Sequence, residues 1–297
     1  MNAVIKTENL TKYYGKHRGI INLDLNVEKG EIFGFIGPNG AGKSTTIRIL
    51  LGLISADSGC GEIMGYNVGT GKRDYLQNVG YMPSEAMFYG RMKVRDVIAF
   101  SAGLRKKDCL AEAKRLCERL NLDTGRRIDE LSLGNRKKVA IVCAMQHQPQ
   151  LYIFDEPTSG LDPLIQKEFF DLIQEKKREG ATVFLSSHVL SEIQHHCSRA
   201  AIIREGKLIA CDKVENLTKT TARRVTLHGI SQMPEGLDGK SVNPGDHMVS
   251  FLYQGDIRQL LRQLSALPLD DLTITEPELE EVFLHYYQGE GTENDNL

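Results

Sequence analysis

The stretch GPNGAGKST, from Gly37 to Thr45, decides the fold of this chain. It follows the short apolar run EIFGFI and leads into an apolar-periodic segment, Thr46–Leu53, so the sequence predicts a strand, a glycine-rich loop and a helix. The three glycines lack Cβ atoms, which lets the backbone N–H groups of the loop converge on one small anion. Because the N-terminus of the following helix adds positive potential, the arrangement is typical of a phosphate-binding loop.

Two side chains of this loop carry chemistry. Lys43 supplies charge for the outer phosphates of a nucleotide, and the hydroxyl of Ser44 can ligate Mg²⁺. An ordinary glycine turn shares part of this pattern. It does not place Gly37, four residues, then Gly42, Lys43 and Ser44 in register after a strand. The sequence therefore favours a nucleotide-binding site.

The composition sets outer bounds on the function. With 297 residues, of which 41% are hydrophobic and 26% charged, the chain has an ordinary soluble composition and room for one large or two unequal domains. The net charge of -2 gives no argument for a nucleic-acid surface. A local basic cluster, Arg136, Lys137 and Lys138, is interpreted as a solvated helix face.

Cysteine usage and the apolar runs predict a cytosolic protein. The six cysteines form no CxxC pair and are interpreted as reduced, small apolar residues. The start, MNAVIKTENL, has neither the basic region nor the apolar core of a signal peptide. The longest apolar run, Val139–Met145, is far shorter than the ~20 residues of a membrane-spanning helix. If the protein serves a membrane, a partner must span it.

Two strands are predicted ahead of the phosphate loop. AVIKTENLTKYYG has strand character, and INLDLNVEKG alternates apolar and polar residues before a turn at Gly30. Tyr14 stands at the polar end of the first strand. Its ring could stack on a purine base, or it could pack in an ordinary hairpin.

Residues from about 74 to 146 are predicted to form a helical region. VRDVIAFSAGL and AEAKRLCERLNL carry the helical spacing of apolar residues, after a strand and the loop GYMPSEAMFYG. The region ends in LSLGNRKKVAIVCAM, where Ser132 is the predicted N-cap of an apolar helix.

Polar side chains end two later apolar strands. LYIFDEPTSGLDP stops at Asp155 and Glu156, at the edge where open α/β sheets bind ligands. One carboxylate can hold the water shell of Mg²⁺ while the other deprotonates an attacking water, although a solvent-exposed acid pair is the alternative. TVFLSSH ends in His188, which could donate to a γ-phosphate oxygen. His195 and His196, on the next helix, are interpreted as solvated.

Together these motifs resemble the nucleotide-binding subunit of ATP-binding cassette (ABC) transporters, over about residues 2 to 212. The resemblance rests on GPNGAGKST, on the acidic motif LYIFDE, on the SGLD that follows it and on His188. LSLGN, Leu131–Asn135, stands at the place of the family signature, usually LSGGQ. Other phosphate-loop ATPases lack that signature.

The resemblance implies an α/β fold for residues 1–212, with a phosphate-loop NTPase core, an antiparallel β-subdomain and an inserted helical subdomain at about 74–146. It implies a homodimer in which ATP on the phosphate loop of one nucleotide-binding domain is capped by the signature of the other. The expected partners are that second domain and an integral membrane permease, with no nucleic acid. The protein would therefore lie at the inner face of the cell membrane and hydrolyse ATP to drive transport.

The resemblance also implies a role for each matched residue. Glu156 would be the general base, His188 would contact the γ-phosphate, and Ser44 with Asp155 would serve Mg²⁺. Asp162 lies in the loop that communicates between the two sites. ATP would be bound by Tyr14, Gly37, Pro38, Asn39, Gly40, Ala41, Gly42, Lys43, Ser44 and Thr45, and the partner's ATP by Ser132, Gly134 and Asn135.

The chain departs from the family pattern in the signature and in one loop. Leu133 replaces a glycine of the signature and Asn135 a glutamine, although asparagine can still hydrogen-bond a ribose. The metal- and water-sensing glutamine is replaced by Ser84, with Glu85 beside it. Either Glu85 substitutes for it or the helical region is coupled to the nucleotide in another way, and neither residue is assigned to catalysis.

Residues 213–287 are predicted to form a small α/β accessory domain, followed by a disordered polar tail at 288–297. RVTLHGI, HMVSFLY and LTIT have strand character, DIRQLLRQLSAL is helical, and a closing helix is predicted to begin at Pro277. The last segment is similar to that of bacterial ATPase subunits that work with multidrug, lantibiotic and antibiotic-export permeases. This similarity favours an exporter, and an accessory domain with no role in transport is the alternative.

Two other functions stay open at this point. One is a soluble ABC-type ATPase that acts on ribosomes or DNA, although such relatives carry two cassettes, or coiled-coil or zinc insertions, which this sequence lacks. The other is a weakly hydrolysing, ATP-dependent regulator. Ser84 suggests it, and Glu156 and His188 argue against it.

Overall fold

The computed structural model describes residues 3–69, 71, 73–105, 107–218, 223–234, 239–245, 247–253, 255–265 and 267–275. The closing helix predicted from Pro277 and the tail predicted at 288–297 lie outside these residues. The chain divides into two compact units, Met1–Cys211 and Asp212–Leu297.

The first unit combines two sheets with six α-helices in its described part. Its strands are β1 (Ala3–Tyr14), β2 (His17–Glu28), β3 (Ile32–Ile36), β4 (Ser58–Ile63), β5 (Tyr66–Asn67), β6 (Val79–Met82), β7 (Leu151–Asp155), β8 (Thr182–Ser187), β9 (Arg199–Arg204) and β10 (Lys207–Lys213). Its helices are α1 (Lys43–Leu50), α2 (Val94–Arg105), α3 (Leu110–Arg119), α4 (Leu133–Met145), α5 (Pro163–Arg178) and α6 (Leu190–His196). Short 3₁₀ helices lie at Asp74–Asn78 and Ile128–Glu130.

The strand order explains how distant parts of the sequence meet. An antiparallel sheet has the order β2-β1-β4-β5, and a six-stranded sheet has the order β10-β9-β3-β8-β7-β6. In the second sheet β3, β8, β7 and β6 run parallel, with Ile36 opposite Ser187 and Asp155 opposite Ser186. Because parallel strands end at the same edge, the segments after β3, β7 and β8 leave the sheet side by side.

Apolar runs form the core between these layers. Strands β3, β7 and β8 are buried along their whole length, as expected for parallel strands covered on both faces. Phe33 and Phe184 stack across β3 and β8 with ring centroids 5.9 Å apart, and Phe35 lies 5.4 Å from Phe184. All six cysteines are free thiols.

An ion-pair network joins α3 to α5. The buried ammonium of Lys176 lies 3.0 Å from both Glu112 and Glu179. Arg115 contacts Glu112 at 2.7 Å and Glu175 at 2.8 Å. Arg119 extends the network to Glu168 and Glu175 on α5. These ion pairs attach α3 to α5.

The interpretation of His196 as solvated was wrong. Its imidazole stacks on the ring of Phe170 with centroids 3.6 Å apart and planes 6° from parallel. Burial, followed by the neighbouring His195, lowers the pKa of His196. His195 is exposed, as the sequence predicts. His195 and His196 are adjacent on α6, so the packed histidine and the solvated one differ only in the face of the helix that each occupies.

The second unit contains α7 (Val214–Thr218), β11 (Arg223–His228), β12 (Gly239–Gly245), β13 (Met248–Tyr253), α8 (Ile257–Leu264) and β14 (Asp271–Thr275). Its antiparallel sheet has the order β12-β13-β11-β14. Val225, Phe251 and Leu260 lie in a separate core. The sequence predicts β11, β13, β14 and α8, whereas β12 had no recognised signal.

Candidate active site

The phosphate loop joins β3 to α1 and is shaped by close backbone contacts. Gly42 has a φ of 110°, and a methyl group in place of its hydrogen would lie 2.8 Å from the carbonyl oxygen of Gly19. Only glycine fits both this conformation and this space. Pro38, Asn39 and Gly40 are exposed at the tip of the loop. Its backbone is therefore open to a ligand on one side and packed against β2 on the other.

Lys43 lies inside the loop and is 5% exposed. Its ammonium donates to the carbonyl oxygens of Gly37 at 2.6 Å and Pro38 at 3.1 Å, and it lies 3.1 Å from Oε1 of Glu156. In this structure the lysine is thus shared by three internal oxygens. A phosphate that binds in the loop has to compete with them.

The two acids at the end of β7 have different surroundings. Asp155 is 2% exposed, and its Oδ1 accepts a 2.6 Å hydrogen bond from the hydroxyl of Ser186. The side chain of Glu156 is 19% exposed and points toward Lys43. Glu156 also has a φ of 49°, in the left-handed region that non-glycine residues seldom adopt. One acid is therefore fixed in the sheet, and the other lies beside the loop.

His188 follows β8 and contacts the second acid. Its Nδ1 lies 3.1 Å from Oε2 of Glu156. Because a carboxylate only accepts hydrogen bonds, Nδ1 carries the proton in this contact. Glu156 therefore joins Lys43 on one side to His188 on the other, and three segments far apart in sequence meet at one carboxylate.

Tyr14 and Thr45 mark the entrance to this region. The Tyr14 side chain is 44% exposed, and its hydroxyl lies 3.5 Å from Oγ1 of Thr45. Ser44 is partly buried in the first turn of α1, and Ala41 is buried in the loop. An aromatic ring and the loop thus lie on the same side of the molecule.

The signature segment contacts a different loop. Ser132 is the N-cap of α4, as the sequence predicts, and accepts a 3.3 Å hydrogen bond from the amide of Asn135. A methyl group on Gly134 would lie 2.8 Å from the carbonyl oxygen of Gly160. The described contacts do not join Ser132, Gly134 or Asn135 to the phosphate loop. Leu133 is exposed and lies over Gly160.

Asp162 caps α5. Its carboxylate accepts a 3.1 Å hydrogen bond from the amide of Ile165, with Pro163 in the first helical position. This is the usual chemistry of a helix start and orients the loop that begins at Glu156.

The interpretation of the basic cluster as a solvated face was wrong for two of its three residues. Lys137 is 2% exposed and Lys138 is 8% exposed, because α4 is packed on nearly all sides. The ammonium of Lys137 donates a 2.7 Å hydrogen bond to the carbonyl oxygen of Glu156. The apolar run VAIVCAM that follows the lysines was a signal that the whole helix is buried.

Tyr81 is a second residue that the sequence did not suggest. It lies on β6, next to β7 in the sheet, and is partly buried. Burial, followed by the charge of Asp155, raises the pKa of Tyr81 to about 12. The phenol stays neutral beside the acids. Ser84 and Glu85, on the loop after β6, make no hydrogen bond to Asp155 or Glu156 among the described contacts.

The residues present fit a magnesium nucleotide. At Gly37 and Gly42 the loop backbone leaves no room for a side chain. Lys43 supplies a cation, and Ser44 and Asp155 offer the hard oxygen ligands that Mg²⁺ prefers. No group of three or more His, Cys, Asp or Glu side chains in the described ranges could hold a metal ion. This donor set suits an ion that binds through few protein ligands together with phosphates.

In the part of the chain that the structure describes, every helix is too short or too polar to cross a lipid bilayer.

Comparison with known proteins identifies relatives along most of the chain. A family model described as ABC transporter matches residues 20–159. The chain is 40% identical over 74% of its length to the bacitracin transport ATP-binding protein BcrA of Bacillus licheniformis, and covers 72% of that protein. It is 30% identical to the linearmycin resistance ATP-binding protein LnrL of Bacillus subtilis, over 95% of this chain and 97% of that protein.

Comparison with solved structures finds members of the same family. A solved structure described as the ATP binding subunit of an ABC transporter matches with a TM-score of 0.68 at 29% identity, over 73% of this chain and 92% of that one. The predicted family and fold class are thereby confirmed. From its sequence relatives and its fold, this chain belongs to the ABC transporter family and is one of its ATP-binding, ATP-hydrolysing subunits.

Proposed function

We propose that two copies of this chain bind ATP between them, close, hydrolyse it and reopen, and that this cycle drives a membrane permease that exports an antibiotic-like compound. ATP-binding subunits of this family work as dimers with permease partners. The similarity to proteins named for bacitracin transport and linearmycin resistance supports export. The chain would then lie at the inner face of the membrane, attached through the permease.

The observation that carries this proposal is the position of Glu156. Its carboxylate lies 3.1 Å from the phosphate-loop Lys43 and 3.1 Å from His188. A base at this point can orient and deprotonate a water for in-line attack on the γ-phosphorus, which releases ADP and phosphate. His188 would stabilise charge on the transferred phosphoryl group.

Mg²⁺ would be held by Ser44 and Asp155. When bound, it neutralises the charge of the phosphates. Asp155 is suited to this task because Ser186 fixes one of its oxygens while the other is free of that bond. Lys43 would leave its three internal oxygens and bind the outer phosphates. Ser132, Gly134 and Asn135 would bind the ATP of the partner, where the exposed N-terminus of α4 favours negative charge.

Adenine stacking on Tyr14 has a matched control in the same strand. Tyr13 and Tyr14 are both 44% exposed and adjacent, so they face opposite sides of β1. We expect Tyr14→Ala to weaken ATP binding roughly fivefold to 150-fold, since a stacked base contributes ~1–3 kcal/mol, whereas Tyr13→Ala leaves it within twofold. Titration with a fluorescent ATP analogue measures both. Equal effects of the two substitutions would contradict the stacking role.

The permease would contact a pocket in the helical segment. A concave space of about 650 Å³ between α2, α3 and the end of α4 is lined mainly by apolar atoms, including Ile98, Ala113 and Cys117. Gln146 lines it, is 2% exposed and donates to the carbonyl oxygen of Ile98 at 3.0 Å. Its Oε1 is buried and has no hydrogen-bond partner in the described part of the chain. An unpaired buried acceptor is costly, so a rotation of the Gln146 amide that brings this oxygen to a donor on a docked cytoplasmic segment of the permease would be stabilising.

This contact is tested by filling the pocket. Ala113→Arg should abolish co-purification of a protein with several ~20-residue apolar spans from gently solubilised membranes, while the ATPase activity of the separate subunit is retained. Leu53→Arg changes an exposed leucine elsewhere and serves as the control. A permease that still binds the Ala113→Arg variant would exclude this pocket.

The proposal as a whole is tested by the same capture and by steady-state phosphate release. A stoichiometric multi-span partner is expected. Ribosomal proteins or DNA-repair factors in its place would indicate a soluble ATPase. ATP binding without turnover, even with the permease present, would indicate a regulator.

A further inference from the structure

The peptide groups before and after Glu156 are each held by a hydrogen bond with another part of the chain. The amide of Glu156 donates to the carbonyl oxygen of Ser186 at 3.2 Å and to its hydroxyl at 3.1 Å. Its carbonyl oxygen accepts a 2.7 Å hydrogen bond from the ammonium of Lys137. A left-handed φ at a non-glycine residue is strained and persists only where its surroundings fix it. Ser186 and Lys137 are the two groups that do so here.

Lys137 reaches this carbonyl from another element. It lies on α4, 19 positions before Glu156. The first turn of the same helix is pressed against the loop after β7, where Gly134 meets the carbonyl oxygen of Gly160. The helix and the loop therefore touch at two places, once through backbone and once through the lysine.

The charge of Lys137 does not explain the contact by itself. Buried cations in proteins are usually paired directly with a carboxylate. Burial lowers the pKa of Lys137, and the nearby carboxylates of Glu156, Asp155 and Glu192 oppose that shift. Yet the hydrogen bond goes to a backbone oxygen. Its geometric effect is to fix the direction of a peptide group.

We propose that Lys137 is a positioning residue for the hydrolytic step, which holds the backbone of Glu156 so that its carboxylate stays between Lys43 and His188. This inference rests on the proposed role of Glu156 as the base. Without Lys137, the peptide can leave its left-handed conformation and the carboxylate moves with it. Lys137 contacts neither the phosphate loop nor the exposed tip that would receive ATP, so its loss does not weaken binding.

The test compares two buried lysines of one helix in the full-length chain. Lys137→Met removes the donor and keeps a stem of similar length. Lys138→Met removes a neighbouring buried ammonium that has no described hydrogen bond to Glu156. With Mg²⁺ and ATP, we expect Lys137→Met to lower kcat at least tenfold while KM does not rise and the affinity for a fluorescent ATP analogue does not weaken, because small misplacements of a reacting group are costly. Lys138→Met should keep kcat within about twofold, and Lys137→Arg should recover part of the loss.

The outcomes separate this inference from the proposed function. Glu156→Gln is assayed in parallel, and if it turns over normally, the role of Glu156 is wrong. If Glu156→Gln is inactive while Lys137→Met keeps its kcat, the inference about Lys137 is overturned. Equal losses in the Lys137→Met and Lys138→Met variants, or a loss that appears in KM, would also overturn it. Should Lys137→Met fail to fold, Lys137→Ala carries the same expectation and the same refutation.

Discussion

Replacement of Glu156 by glutamine tests two parts of the site at once. The substitution keeps the size of the side chain but removes its negative charge and its ability to accept a proton. It acts on a carboxylate that lies 3.1 Å from the ammonium of Lys43 and 3.1 Å from the imidazole of His188. We expect ATP to bind more tightly to the variant and to be hydrolysed far more slowly.

The size of both effects follows from the geometry. At 3.1 Å and an effective dielectric constant of ~20, the gross attraction between Lys43 and Glu156 is about 5 kcal/mol. Most of it is offset by lost hydration, and a net value of about 1.5 kcal/mol is typical of a hydrogen bond to a charged group. Because a phosphate must take Lys43 from this acid, the substitution should tighten ATP binding roughly tenfold. Loss of a general base should slow turnover by about 10²–10⁴-fold.

Two assays measure these effects. Titration with a fluorescent ATP analogue gives the affinity, and steady-state phosphate release gives turnover. The control is Glu85→Gln, an exposed acid that makes no described contact with the site. Normal turnover of Glu156→Gln would refute the role as base. Weaker ATP binding would refute the competition for Lys43, and a turnover loss in Glu85→Gln would mean that this acid takes the place of the missing glutamine.

Three further predictions concern the packing around the site. Gly134→Ala should slow phosphate release and lower stability by roughly 1–3 kcal/mol, because its methyl group would press on a backbone oxygen, whereas Gly103→Ala in the open part of α2 should be neutral or stabilising in thermal denaturation. Lys176→Met should lower the unfolding free energy by about 2 kcal/mol in urea titration, since it leaves Glu112 with one cation fewer, and no change would show that the Lys176–Glu112 pair is dispensable. Burial raises the pKa of Glu112, but the hydrogen bonds and charges of Arg115 and Lys176 outweigh it and lower that pKa to about 2. Its stabilising contribution is therefore complete above about pH 4.5 and lost as pH falls toward 2, and Glu112→Gln should flatten the stability profile over that interval.

Local features of this protein could be predicted from the sequence because they depend on neighbouring residues. The strand, loop and helix around Gly37–Thr45 follow from an apolar run, glycines and helical spacing. Ser132 caps its helix because a hydroxyl at that position meets a free amide three residues later. The acids at the end of β7 were found by the same reasoning, since a polar pair ends a buried strand.

Two misinterpretations have one physical cause. Lys137 and His196 are polar residues on helices, and an isolated helix would be exposed to water on every side. Whether such a side chain reaches water depends on what packs against that face. Lys137 meets the carbonyl oxygen of Glu156 and His196 meets the ring of Phe170, and neither neighbour is near it in sequence.

The sequence by itself determined the phosphate loop, the main strands and helices, and the family, because these depend on residue order and short-range periodicity. Only the tertiary structure decided that Glu156 lies between Lys43 and His188, that its backbone is left-handed, and that Lys137 holds it. Those contacts join segments brought together by the order of parallel strands in one sheet. That order is set by the packing of the whole unit rather than by any local pattern.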